Sequence, residues 1–272
     1  MLRIDGDILV FKAGFAAEKA KYKLHYTIHG LTDSIVLNSK KAVDEYIVEN
    51  SLVDYEIERW RELDTEQQAK WNLRDILGTI FEGTKQNHAE IFISGPGNFR
   101  YDIFPEYKAN RNKSHRPYYE KFLRDTLVSE YGAQVTVGEE TDDQLGIRQY
   151  TDWYNGDTDS IIATLDKDLN MIPGPHFNWD KGTMTDVTLQ GANRWFYTQV
   201  LMGDRVDGIE GIPGMGPKTA EKVLSYADTA RQMYEACIEE YTNAGIDLET
   251  MHKYAKVLWI RREIAKNWEI PT

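Results

Sequence analysis

Eight carboxylates carry the chemistry that this 272-residue sequence offers most plainly. Asp5 closes the apolar start Leu2-Arg3-Ile4; Glu140, Asp142 and Asp143 stand in the run E-T-D-D; Asp166 and Asp168 flank a lysine in D-K-D; Asp204 and Asp207 lie in G-D-R-V-D. Neighbouring acids repel, and several ionised carboxylates in one cleft are costly unless cations neutralise them. Mg²⁺ or Mn²⁺ suits such hard oxygen donors and keeps waters that can be ionised for attack. Each group also has a simpler reading alone: D-x-D as a turn with an Asx cap, E-T-D-D as acids favouring a helix N-terminus, Asp5 as a turn residue. Their common placement, at strand ends and element junctions, is what points to a shared metal site.

Two further stretches could handle phosphate. The segment from Asn98 to Lys113, N-F-R-Y-D-I-F-P-E-Y-K-A-N-R-N-K, is basic and aromatic, and Arg116 and Tyr118 follow. If the part after Pro105 is helical, Lys108 and Arg111 share a face and present two cations to a phosphate, while Tyr107 can stack on a base. A solvated loop with incidental charges is the alternative. In D-G-I-E-G-I-P-G-M-G-P-K-T-A, glycines 211, 214 and 216 permit a tight turn, and Pro217 fits the first turn of a helix. The exposed amides around Gly214 and Gly216, with Lys218 and Thr219, then form a phosphate site at a helix N-terminus. A plain connection between helices is the simpler reading of the same residues.

The elements that must position these groups follow from periodicity. Leu2–Ile4 reads as a short strand leading into a helix through Ile8, Phe11, Phe15 and Ala16. Apolar, β-branched runs at 89–94, 133–137 and 160–165 read as buried strands, and 176–188 as a hairpin around Asp-Lys-Gly. Residues 39–86 read as polar helices, one starting at Asp64-Thr65-Glu66, and everything from about Gln190 onward as helical. Strands alternating with helices give an α/β fold, whose ligands collect at the carboxyl ends of the strands. A single cysteine, Cys237, excludes an intrachain disulfide and a Cys-rich zinc site. The start Met1-Leu2-Arg3-Ile4-Asp5 shows no signal peptide, and no apolar run approaches the roughly 20 residues of a membrane span. The expectation is a cytoplasmic protein without membrane contact. The net charge of −12 argues against a polyanionic partner only if the acids are spread evenly; gathered around cations, they need not repel one.

Taken in order, I-D-G, F-P-E-Y-K-A-N-R, E-x-D-D, D-K-D, L-M-G-D-x-x-D and G-I-P-G-M-G-P-K-T-A make the sequence resemble the metal-dependent 5′ nucleases, among them flap endonucleases, the 5′ nuclease domain of bacterial DNA polymerase I and free-standing bacteriophage 5′ exonucleases. The resemblance implies a PIN-like core, a central mostly parallel sheet flanked by helices. It adds a helical arch around 98–118 and a C-terminal helix-hairpin-helix-type DNA-binding region, so that 1–189 form the nuclease core and 190–272 a helical region with its hairpin at 208–224. It assigns two divalent cations to the eight acids above, phosphate contacts to Lys108 and Arg111, and a potassium ion to the carbonyls of Gly211, Ile212 and Met215.

One departure stands out: relatives carry a metal aspartate just past the strand at 91–93, where this chain has Ser94-Gly95-Pro96-Gly97. Ser94, water, or Asp102 from the next segment would take its place. The expected activity is that of a monomeric 5′-3′ exonuclease or flap endonuclease acting on duplex, nicked or flapped DNA in replication, primer removal or host-DNA degradation, of phage type and located in the host cytoplasm. A non-catalytic binder of DNA ends or junctions, and a primer-removing RNase H acting on RNA/DNA hybrid, are the rival readings.

Overall fold

The computed structural model describes residues 1–111 and 116–272, so that Lys113 and part of the expected arch, residues 112–115, lie outside the described residues. The described residues form two compact units, one of residues 1–9, 76–111 and 126–272, the other of residues 10–75 and 116–125. The division does not fall at residue 189. The sheet and the C-terminal helices belong to the same unit because they share one apolar core.

In the first unit, β1 (Leu2–Asp5) lies in the middle of a six-stranded sheet of order β6-β5-β1-β7-β8-β9. Its neighbours are β5 (Ala89–Ile93) and β7 (Ile161–Ala163), both parallel to it, with Leu2 opposite Ala89 on one side and Ile161 on the other. Strands buried on both faces read as unbroken apolar runs, which is why A-E-I-F-I and I-I-A were recognisable. β6 (Gln134–Val135) extends the sheet beyond β5; β8 (Gly174–Asn178) follows β7 in parallel, and β9 (Thr183–Val187) returns antiparallel, completing the expected hairpin. The chain leaves β1 toward β5 and β6 and later comes back to its other side for β7 and β8. Such a reversal opens a crevice beyond the carboxyl ends of β1, β5 and β7.

Around this sheet run α6 (Thr141–Tyr154), α7 (Leu189–Met202), α8 (Pro217–Leu224), α9 (Ala230–Asn243) and α10 (Leu248–Leu258). Phe92, Leu145 and Ile162 join Phe196, Val200, Met233 and Tyr241 in one buried cluster. Fully burying a large apolar side chain stabilises by about 1.5–3 kcal/mol, so this shared core ties the helices to the sheet. Among the described residues no helix is long and apolar enough to cross a membrane.

The expectation of helices alone over 39–86 is corrected. The helices α2 (Lys40–Glu49) and α3 (Glu66–Thr84) are present, the latter with the Thr65 hydroxyl accepting from the Gln68 N–H at 3.1 Å. Between them, however, lies the strand β4 (Tyr55–Leu63), and before them the strands β2 (Glu18–Ile28) and β3 (Leu31–Leu37). The three form an antiparallel sheet of order β3-β2-β4. Leu24 and Tyr26 of β2 pack with Val43 and Leu52, while the opposite face sets Lys19 and Lys23 across from Glu62 and Glu58.

Candidate metal and nucleic-acid site

Asp5 ends β1 and starts α1 (Gly6–Ala16). Its Oδ1 accepts from the Ile8 N–H at 3.1 Å, capping the helix, and its Oδ2 accepts from the Thr164 hydroxyl at 3.0 Å just past β7. Gly6 allows this placement. A Cβ there would stand 2.6 Å from the Phe92 carbonyl oxygen and from Ile93 Cγ2, so only glycine lets the helix begin against β5.

The acids separate into two sets. In the first, Asp5, Asp142 and Asp166 come from β1, the first turn of α6 and the short turn that follows β7. Burial, then Asp7, then Asp166 push the Asp5 carboxyl up to about 7. Burial followed by Asp5, Asp166 and Glu140 holds Asp142 well above the usual carboxylate range. Asp168 continues the set: burial, Asp166 and Asp204 raise it to about 7, against a hydrogen bond from Gln199. Asp166 Oδ1 meanwhile accepts from the Asp168 N–H at 2.8 Å, making the Asx turn that D-x-D suggests. Asp204 is bound within its own turn by the Val206 N–H at 2.8 Å.

The second set is paired with cations. Lys108 Nζ donates to Glu140 and lies 3.8 Å from Asp207 Oδ2; Arg111 Nε donates to Asp207 Oδ1 at 3.0 Å. Burial alone would raise the Glu140 carboxyl, but Lys108 and Arg100 hold it below its ordinary range. Asp143 is 0% exposed and takes both Arg100 nitrogens, at 2.6 and 2.9 Å, together with the N–H groups of Glu140 and Arg261. With four donors on two oxygens, Asp143 is part of the scaffold and not the metal ligand it was expected to be. Arg100 is held in turn by the carbonyls of Val257 and Trp259, each at 2.8 Å, so the pair anchors the start of α6 to the end of α10 and the chain just after it.

The basic segment also differs from expectation. Beyond the short helix α4 (Arg100–Ile103) the chain runs in turns, and Lys108 adopts a left-handed backbone with φ 58°. Lys108 and Arg111 still converge, on Glu140 and Asp207. Tyr107 is not a stacking platform: it is 4% exposed, its ring is in the core, and its hydroxyl donates to Glu140 at 3.1 Å. Asp102 is exposed on α4, whereas the carboxylate bonded to Ser94 belongs to Asp7, at 3.0 Å from the Ser94 N–H.

After α7 the chain turns through Gly203, with φ 72°, and Gly211, with φ 63°, each so close to the other's backbone that a Cβ on either would collide with it. Ile212 N–H donates to the Leu201 carbonyl at 2.9 Å, and Ile209 N–H to Asp204 at 2.8 Å. Gly216 caps α8 and Pro217 opens it, while Gly214, Lys218 and Thr219 are exposed. Gly211 and Ile212 are buried and Met215 half-buried.

Among the described residues no three His, Cys, Asp or Glu side chains stand together as a ready-made metal cage. The donor set nevertheless fits a hard divalent cation. It is made of oxygens, it concentrates negative charge on Asp5, Asp142, Asp166 and Asp168, and beside Asp168 the buried Gln199 Oε1 has no hydrogen-bond partner among the described residues. Sequence reasoning missed Arg100, Gln199 and Asp7. Asp7 alone left a trace, as a second acid in I-D-G-D.

No protein-family model matches the chain. It is 30% identical over 230 residues to the exodeoxyribonuclease of Enterobacteria phage T3, a match covering 83% of this chain and 66% of the relative. It is 29% identical over 207 residues to DNA polymerase I of Bacillus caldotenax, covering 70% of this chain and 23% of that protein. The chain therefore spans just under two thirds of the phage relative and less than a quarter of the polymerase. Its fold is similar to that of the phage T5 D15 protein crystallised with metal ions, with a TM-score of 0.59 at 13% identity over 94% of this chain and 88% of the other.

Proposed function

From the premise that the chain belongs to the 5′ nuclease family of phage exonucleases and DNA polymerase I, we propose that it hydrolyses phosphodiesters near the 5′ end of DNA with divalent cations, as a 5′-3′ exonuclease or flap endonuclease. One observation carries this reading. Asp5, Asp142 and Asp166 are drawn from three elements to the carboxyl edge of the sheet, where burial and mutual repulsion favour a bound cation, and two cationic side chains stand beside them.

Asp5, Asp142 and Asp166 would hold one ion, and Asp168 and Asp204 with Gln199 would serve a second. Mg²⁺ or Mn²⁺ in these places supplies Lewis-acid activation of water and of the phosphate. The chain's own part is positional and electrostatic. Asp143 and Arg100 fix the start of α6, and with it Glu140 and Asp142. Lys108 and Arg111, freed from Glu140 and Asp207 when phosphate arrives, offset charge on the scissile group, a role whose loss typically costs about a hundredfold or more in rate. Gly214, Gly216, Lys218 and Thr219 grip phosphates of the duplex in helix-hairpin-helix fashion. A potassium ion would use the carbonyls of Gly211, Ile212 and Met215, of which Ile212 already accepts from the Met215 N–H at 3.0 Å. Nicked, flapped and RNA-primed duplexes are the substrates to compare, with the chain acting as a monomer.

The test is Mg²⁺-dependent release of 5′-labelled product from duplex DNA by the wild type and by the Asp166→Ala, Asp168→Ala double variant. Cleavage that disappears in the variant is expected. A wild type that binds DNA ends without turnover in Mg²⁺ or Mn²⁺, or a variant that cuts as well as wild type, would overturn the proposal; preference for RNA/DNA hybrid would redirect it to primer removal.

A further inference from the structure

Past α10 the chain crosses the start of α6, and Arg261 makes the contact. Its N–H donates to Asp143 Oδ1 at 3.0 Å, its Nη1 donates to Glu139 Oε2 at 3.0 Å, and its guanidinium lies 3.7 Å from the centre of the Phe99 ring. Nε and Nη2 both donate to Asn267 Oδ1, at 3.0 and 2.8 Å, so the planar head is held at its edges and on one face. Arg262, its neighbour, turns away to the Met171 carbonyl and Asn193. The crossing leaves a mark in the sequence. Gly146 is the one glycine inside α6, a place where glycine weakens a helix, and a Cβ there would run into the Arg261 carbonyl oxygen.

Both side-chain partners adjoin groups of the site. Glu139 immediately precedes Glu140 and also accepts from the Gln144 side chain, one turn into α6. Phe99 immediately precedes Arg100 and begins the segment that leads to Lys108; its N–H donates to the Gly138 carbonyl at 3.0 Å. Lys108 and Glu140 then meet across the site. Because Arg100 and Asp143 already anchor α6, the Arg261 side chain adds something different: a tie between the turn that bears the acids and the segment that bears the cations.

We infer that Arg261 is a positioning residue for cleavage, which by clasping Glu139 and Phe99 together sets how Glu140 and Asp142 face Lys108. The inference rests on the nuclease reading above. Misplacing reacting groups by about 1 Å can cost on the order of a hundredfold in rate, whereas duplex affinity is carried by phosphate contacts elsewhere on the chain.

The experiment is single-turnover cleavage of a 5′-labelled duplex in Mg²⁺, with DNA affinity measured in EDTA and a melting temperature for every variant. Arg261→Met is expected to slow cleavage about 10- to 100-fold while DNA affinity changes by less than about twofold. Glu139→Gln is expected to slow it in the same direction, and the double variant to be no slower than Arg261→Met, since both remove one tie. Arg261→Lys keeps a charge for Glu139 but has no planar head to lay on Phe99, and is expected to recover part of the rate. Cleavage by Arg261→Met at the wild-type rate would overturn the inference, as would a parallel fall in rate and affinity, or single-variant losses that multiply in the double variant. If Arg261→Met does not fold, Glu139→Gln decides alone, and its cutting as fast as wild type is the overturning result. A wild type that cuts no DNA would overturn the nuclease reading itself, a failure seen without any variant.

Discussion

Asp142 and Asp143 are adjacent, chemically identical and in the same first turn of α6, yet they belong to opposite regimes. Successive helical residues point about 100° apart. That rotation sends Asp143 into the interior, onto the Arg100 guanidinium, and leaves Asp142 facing Asp5 and Asp166. The same contrast runs through the whole acidic edge. Glu140, Asp143 and Asp207 are neutralised by Lys108, Arg100 and Arg111, whereas Asp5, Asp142 and Asp168 are destabilised by burial and by one another. Paired acids build the frame, and repelling acids create the demand for a cation.

The largest expected effect comes from breaking the frame. Arg100→Met leaves Asp143 buried without its partner and should destabilise the fold by about 3–5 kcal/mol, read by urea unfolding. If it melts like wild type, Asp143 is not a scaffold residue. Next, Lys108→Met should lower the rate about a hundredfold with the fold intact, read as single-turnover cleavage; an unchanged rate would confine Lys108 to pairing with Glu140.

The two sets also differ in the sign of their response to pH. For Asp5 and Asp168, raised from about 3.8 unfolded to about 7 folded, the stabilisation is present below 3.8 and lost as pH rises through 7. The metal-free protein should therefore gain stability from these groups as pH falls from 8 to 5, and Mg²⁺ should flatten the trend. Glu140, held below its ordinary value, contributes above that value and loses its contribution in acid. A metal-free melting profile with no rise between pH 8 and 5 would contradict the repulsion described for the first set. The smallest effect belongs to Asp142→Asn, which relieves that repulsion. A gain of about 1 kcal/mol in the metal-free state would raise its melting temperature by about 2–4 °C, while divalent-ion binding falls.

The parallel sheet was legible because its strands are continuous apolar runs bounded by acids and glycines. β2 and β4 were not. Stretches such as K-A-K-Y-K-L and Y-E-I-E-R-W-R-E-L cover little of their surface, one face at most, and their Glu, Lys, Arg and Leu are also good helix formers, so local propensity pointed away from the pairing that tertiary packing imposed. At the site, the acids could be read from the sequence but their partners could not. Nothing in E-T-D-D tells which aspartate will meet an arginine 43 residues earlier, and nothing in F-P-E-Y-K announces that Tyr107 will be buried.

The back-to-back glycines 203 and 211 set a rule for anyone recombining this chain with another nuclease. Since neither position has room for a side chain, the turn bearing Asp204 and Asp207 and the loop that opens α8 form a single cassette. A graft that exchanges the loop alone would inherit a mismatched seam, while one that moves residues 203–224 together carries its own fit, and with it the spacing between the acids and the exposed Lys218.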